Sequence, residues 1–183
     1  MLHTFVVYVE NKPGVLSRVV SLFRRRAFNI DSLTVGRTEK PDVSRMTIVT
    51  DADEDQARRI VANIYKLVNV LLVDDITNQP SLMRDLTMIK VKATLETRSQ
   101  ILELATVFRA KVLDIAAESI IVELTGGEEK VDRLLELLGP FGLVEVVRTG
   151  IVAMRRGVSK SPAAASKSAG PVVVDDDTVS YSV

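Results

Sequence analysis

The chain has 183 residues, 46% of them apolar, with 24 basic and 24 acidic side chains, so a core can form and wholesale disorder is excluded. Zero formal charge offers no bulk attraction to nucleic acid or anionic lipid, and the lack of cysteine excludes disulfides, thiolate metal sites and a cysteine nucleophile. Met1-Leu2-His3-Thr4-Phe5 opens without a basic segment leading into an apolar run, and no run approaches the ~20 residues of a membrane helix. The expectation is a soluble, cytoplasmic protein with no membrane partner.

In chain order, the β-branched residues of 4–9 predict a strand, and Asn11-Lys12-Pro13-Gly14 turns the chain. Leu16, Val19, Val20 and Phe23 then mark one apolar stripe of a helix. Arg24-Arg25-Arg26 closes that helix, where cations suit the dipole. Residues 30–35 and 46–50 predict two further strands, separated by the polar stretch 36–45. A second helix follows over Ala57, Ile60, Val61 and Ile64, and residues 70–76 form a fourth strand. After Asn78-Gln79-Pro80 the pattern repeats. It gives a strand at 88–93, a helix over Ile101, Leu104, Ala105 and Phe108, and strands at 112–116 and 120–124. Gly126-Gly127 turns into a helix over Val131, Leu134, Leu135 and Leu138, and a last strand spans 144–152.

A shift of 85 positions superposes the first helices, and continues through Arg24 onto Arg109 and Ile30 onto Ile115, whereas the second helices lie 74 apart. The residues missing from the second copy are assigned to the stretch 36–45, a candidate for partner contact or a plain solvated turn. The expected fold class is α+β, two ferredoxin-like βαββαβ domains at 1–78 and 79–157, then a flexible low-complexity tail at 158–183. Val172-Val173-Val174 in that tail offers the alternative of an edge strand. Each sheet carries helices on one face only, so a partner sheet or subunit is expected over the other and dimerisation follows.

Residues suited to catalysis are scarce. His3 is the lone histidine, expected on the surface at a frayed strand start, and no G-x-S-x-G elbow presents a serine. Asp53-Glu54-Asp55 and Glu128-Glu129 sit at helix starts, where negative charge complements the dipole. Neither a metal motif nor a phosphate loop is present. RNA-binding modules of this fold stack bases on aromatics of the central strands, but Ile30, Val35, Ile48 and Val49 supply none, so nucleic acid is not expected as a partner.

The turn Glu10-Asn11-Lys12-Pro13-Gly14-Val15-Leu16-Ser17 leads a strand into a helix. Free N–H groups there suit an anion, Gly14 permits close approach, and Asn11 adds a donor-acceptor amide, as a free amino acid requires. An ordinary helix-entry turn fits these residues equally well.

Asn11-Lys12-Pro13-Gly14-Val15-Leu16 resembles the ligand turn of ACT domains, ferredoxin-like modules that bind amino acids at dimer interfaces. More specifically, Phe28-Asn29-Ile30-Asp31-Ser32-Leu33-Thr34-Val35-Gly36-Arg37-Thr38-Glu39, Ser44-Arg45-Met46-Thr47-Ile48-Val49 and Lys66-Leu67-Val68-Asn69-Val70 resemble the acetolactate synthase small-subunit family. The resemblance covers residues 3–156 and is strongest over the first 77. It implies a non-catalytic regulatory subunit in branched-chain amino acid biosynthesis. Such a chain binds no cofactor, activates a large subunit that uses thiamin diphosphate, Mg2+ and FAD, and confers feedback inhibition by valine or a related amino acid. Carried over, Asn11 and the backbone of Lys12, Pro13, Gly14, Val15 and Leu16 hold the effector from one protomer, while Asn29 and Ile30 close the site from the other. From residue type rather than from the resemblance, Ile30 and Val35 are expected to offer apolar contact to a branched side chain. The competing expectation is a freestanding ACT-domain sensor controlling another enzyme or transcription.

Overall fold

The computed structural model describes residues 1–157; the expected tail, with its edge-strand alternative, lies outside the described residues. The first half runs β1 (Leu2–Glu10), α1 (Val15–Arg25), β2 (Ser32–Arg37), β3 (Val43–Asp51), α2 (Glu54–Tyr65) and β4 (Val70–Asp75). These strands form an antiparallel sheet in the order β2-β3-β1-β4. The second half runs β5 (Ser81–Lys92), α3 (Arg98–Val107), β6 (Lys111–Ile115), β7 (Ser119–Gly126), α4 (Glu128–Leu138) and β8 (Leu143–Arg148). Its order, β6-β7-β5-β8, repeats the first, and β9 (Val152–Arg155) pairs with the opening of β5. The doubled ferredoxin-like α+β fold is the one the sequence implies.

Strand alternation builds both cores. Phe5, Val7 and Val9 of β1 meet Met46 and Ile48 of β3, roofed by Val15, Val19, Leu22 and Phe23 of α1 and by Ala57, Ile60 and Ile64 of α2. In the second half Ile89, Val91, Ile120, Val122 and Leu124 lie beneath Ile101, Ala105, Val131, Leu134 and Leu138. Each large apolar side chain so buried contributes about 1.5–3 kcal/mol. The α2 start is fixed by a reciprocal capping box between Asp53 and Gln56, with bonds of 2.7 and 2.9 Å.

The buried stripe of α1 is not the expected one. Leu16 and Val20 are 40% and 38% exposed, while Val15, Val19, Leu22 and Phe23 face the core. Aligned by burial, Val15 corresponds to Ile101 and Val19 to Ala105, one position off the sequence superposition. Nor are the second copy's missing residues confined to 36–45. That stretch is mostly strand: Gly36 pairs with Arg45 and Arg37 with Ser44, leaving residues 38–42 as the turn. The larger contraction lies between the first helix and the next strand, with six residues at 26–31 against three at 108–110.

His3 is buried rather than frayed, because β1 starts at Leu2 and the ring stacks on Phe5 at a centroid distance of 6.0 Å. The last expected strand is two, broken at Gly150 with φ +86°. That break has a purpose in packing. Residues 151–155 cross the outer face of the first sheet, where Ile151 and Ala153 pack with Val6, Tyr8, Ile76 and Met83. The Ile151 N–H donates to Ser32 Oγ at 2.9 Å, and Thr34 Oγ1 donates to the Ile151 carbonyl at 3.0 Å. Arg45 donates to the Ala153 carbonyl, and Arg155 faces Asp74 at 3.8 Å. Cover expected from a partner here comes from the same chain. It also sits over Tyr8, an outward aromatic of a central strand that the sequence reading overlooked, half-buried with Arg45 5.8 Å above its ring.

Candidate functional site: the turn before the first helix

Gly14 adopts φ +81°, the left-handed region, and a Cβ built there meets nothing within 4 Å. Glycine is needed for backbone conformation rather than for space. The helix that follows has no capping side chain and no acidic residue in its first turn, unlike α2 with its capping box and α4 with Glu128 and Glu129. The first-turn N–H groups of α1 therefore carry uncompensated positive dipole at an exposed surface. Val15 is buried beneath them and Leu16 stands exposed beside them.

Asn11 is fixed by the β2–β3 turn. Its N–H donates to the Asp42 carbonyl at 2.7 Å and its Nδ2 to the Pro41 carbonyl at 3.0 Å, which leaves Oδ1 as a free acceptor. Lys12 turns its ammonium back to Glu10 at 3.0 Å, its N–H donates to the Glu10 carbonyl at 2.9 Å, and its carbonyl accepts from the Val15 N–H at 3.3 Å. Asn69 Nδ2 also donates to Glu10, at 2.6 Å, while Arg18 Nη1 donates to Asn69 Oδ1 at 2.6 Å. The Asn69 amide, then Lys12, hold the Glu10 carboxyl below its ordinary pKa.

Asn29 lies elsewhere. Its Nδ2 donates to Asp31 Oδ1 at 2.9 Å, and its carbonyl accepts from the Thr50 hydroxyl. Asp31 is itself held by the backbone, donating its N–H to Val49 O and accepting from Asp51 N, each at 2.9 Å. The Asn29 Oδ1 stays free, as an ammonium acceptor must. Ile30 packs partly on the first core. Val35 sits opposite Met46, farther along β2 and away from Ile30.

Within one chain these residues do not meet. Asn11 binds Asp42 just before β3, Asn29 binds Thr50 near its end, and the intervening strand spans roughly 26 Å. Asn11 to Leu16 gather at one end of β3, and Asn29 and Ile30 at the other. Pro41, Asp42, Asp31 and Thr50, which orient the two amides, were missed by sequence reasoning. Asp31, two residues after Asn29, carries a local signal in its Asx spacing. The others are distant partners without one.

The second copy does not reproduce either half. The sequence superposition sends Gly14 to Ser99 and Asn29 to Asp114, but Ser99 lies inside α3 and Asp114 inside β6. Helix α3 begins about a turn early, and its N-cap Thr97 has φ −92° where Gly14 has +81°. Thr94 and Thr97 bond each other ahead of the helix at 2.9, 3.1 and 3.3 Å without capping it. The three-residue link at 108–110 has no place for an Asn29 counterpart.

His3 makes no nucleophile relay. Its Nδ1 faces Asp75 at 3.5 Å and Thr77 at 3.3 Å, and Nε2 is buried without a partner. Among the described residues no three His, Cys, Asp or Glu side chains converge as a metal cage, and no helix is long and apolar enough to cross a membrane.

Residues 5–72 match the model of the AHAS small subunit-like ACT domain, and residues 84–157 that of the small subunit of acetolactate synthase. The chain is 48% identical over 160 residues to the probable acetolactate synthase small subunit of Archaeoglobus fulgidus, covering 87% of this chain and all of that one. It is 47% identical over 155 residues to the acetolactate synthase small subunit of Mycolicibacterium smegmatis, covering 85% and 91%. The crystal structure of the small subunit from Thermotoga maritima superposes with a TM-score of 0.80 at 38% identity, covering 87% of this chain and 99% of that one. Two family models that together span both sheets, and relatives matched over nearly their whole length, give one answer: the chain belongs to the acetolactate synthase small-subunit family.

Proposed function

We propose that this chain is the non-catalytic regulatory subunit of an acetolactate synthase, activating a catalytic large subunit and making it sensitive to a branched-chain amino acid, valine first among them. The observation that carries the reading is the uncapped α1 start behind Gly14, with Asn11 fixed beside it. The Leu16 and Ser17 N–H groups, which have no carbonyl partner, receive the effector's carboxylate. Two chains associate through their first domains, residues 1–78, so that Asn29 Oδ1 of the second protomer accepts from the ammonium and Ile30 meets the branched side chain. Selection rests on hydrogen bonds and shape, because Lys12 is engaged by Glu10. Residues 79–157 form a second domain that binds no effector. The chain itself holds no cofactor; thiamin diphosphate, Mg2+ and FAD belong to the large subunit, and the complex works in the cytoplasm.

Reconstitution tests this. The large subunit is assayed for acetolactate formation alone, with this chain, and with this chain plus valine, leucine or isoleucine. Stimulation that one of the three reverses is expected. A large subunit indifferent to the chain would overturn the reading.

A further inference from the structure

We propose that Ser32, Thr34 and Gly150 form a clasp that transmits effector occupancy from the first sheet to the second. The inference rests on the reading above, in which Asn29 and Ile30 close the effector site.

The clasp grips the backbone of one residue, Ile151, upstream of the Arg45–Ala153 and Arg155–Asp74 contacts that hold the rest of the segment. Both backbone groups of Ile151 are satisfied by side chains of β2: its N–H by Ser32 at 2.9 Å, its carbonyl by Thr34 at 3.0 Å. Ser32 and Thr34 are alternate residues and so share the outer face of the strand. Gly150 fits no other residue. Its φ is +86°, and a Cβ there would stand 2.7 Å from Ser32 Oγ and 3.2 Å from Thr34 Oγ1.

On the far side, the segment is tied to β5 before and after Ile151. Arg148 Nε donates to the buried Asp85 at 3.0 Å and Thr149 Oγ1 donates to the same carboxylate at 3.2 Å, while the Thr149 N–H donates to Leu86 O at 3.0 Å. Downstream, Val152 to Arg155 pair with Arg84 to Ser81. Strand β5 is also paired to β7 and β8, so a displacement at Ile151 loads the central strand of the second sheet. On the near side, Ser32 follows directly on Asp31, which holds the Asn29 amide. A ligand that pulls on Asn29 moves Asp31 and Ser32 together, and Ile151 with them.

The test uses the full chain and its complex with the large subunit. Hydrogen exchange is followed with and without valine in the native chain, in Ser32→Ala/Thr34→Val, in the near-isosteric Thr34→Val alone, and in Thr34→Ser, which keeps the hydroxyl. In the native chain valine should alter exchange both at residues 11–17 and at 82–84 with 152–155. The two variants lacking the Thr34 hydroxyl should still bind valine within about threefold and keep the first change, lose the second, and need about tenfold more valine for half-inhibition. Thr34→Ser should behave as native. Variants that bind valine and are inhibited at the native concentration would overturn the clasp. A native chain showing no valine-dependent change at residues 11–17 would instead sink the effector site itself, and the clasp with it.

Discussion

Asn11 and Asn29 stand at opposite ends of β3, each with one side-chain polar group anchored and the Oδ1 free. Their separation makes a two-protomer site testable by mixing. Asn11→Ala and Asn29→Ala should each abolish valine binding in their own homodimers. A purified heterodimer of the two variants holds one doubly altered site and one intact site, so it should regain one valine per dimer by calorimetry. A heterodimer that binds none would place both amides in a single-chain site, against their distance here.

Substitution of Gly14 separates conformation from charge. Gly14→Ala meets no neighbour but must hold a left-handed φ, which costs about 1–2 kcal/mol and should weaken valine binding modestly. Gly14→Asp adds a carboxylate beside the uncapped helix start, in the place offered to the effector's own. The expected result is a complex that remains activated but needs at least about tenfold more valine for inhibition than Gly14→Ala. Equal response of the two variants would show that charge at this turn is irrelevant.

The second copy should contribute no effector site. The α3 entry has no glycine in the left-handed conformation of Gly14, and the shortened link before β6 carries no amide like Asn29. Equilibrium dialysis of the full chain should give at most one valine per chain, and Asn11→Ala should remove all of it. A saturable site surviving in that variant would assign binding to residues 79–157.

Glu10 supplies a pH dependence of known sign. Its folded pKa is lowered from 4.5 by Asn69 and Lys12, so the stabilisation it gives is present above 4.5 and is lost as the pH falls through the lowered value. The side chain is half-buried at the surface, its partner Lys12 is exposed, and the effect on global stability is correspondingly small. Asn69→Ala should raise the Glu10 midpoint toward 4.5 in an NMR titration, with Lys12→Ala raising it less. An unmoved midpoint in Asn69→Ala would deny the amide its part.

Most elements of the fold were legible because they rest on local signals. Among the described residues the four α-helices follow from apolar spacing and most strands from β-branched content, although β5 starts at Ser81 rather than at residue 88 and the last expected strand is two. What failed depended on tertiary context. Leu16 and Val20 are as apolar as Val15 and Val19, so hydropathy could not say which pair faces the core. The turn before α1 was visible through Gly14, whose positive φ is a property of one residue. The hold of Pro41 on Asn11 was not, because the partners are thirty residues apart and meet only after β2 and β3 pair. His3 was misplaced for a similar reason: a lone polar residue near a terminus reads as exposed until the strand register buries it opposite Thr50.

The strap that runs from Gly150 to Arg155 bears on how freely this architecture can be cut apart. By sequence the first copy looks like a self-contained module, ready to be excised at residue 78 and grafted elsewhere. Without the strap, however, Val6, Tyr8, Thr47 and Val49 would form a bare patch on the outer side of its sheet, ringed by the orphaned hydroxyls of Ser32 and Thr34. Patches of that kind drive self-association. A fragment ending at residue 78 is thus expected to be poorly soluble, and a useful transplant must carry the second copy along.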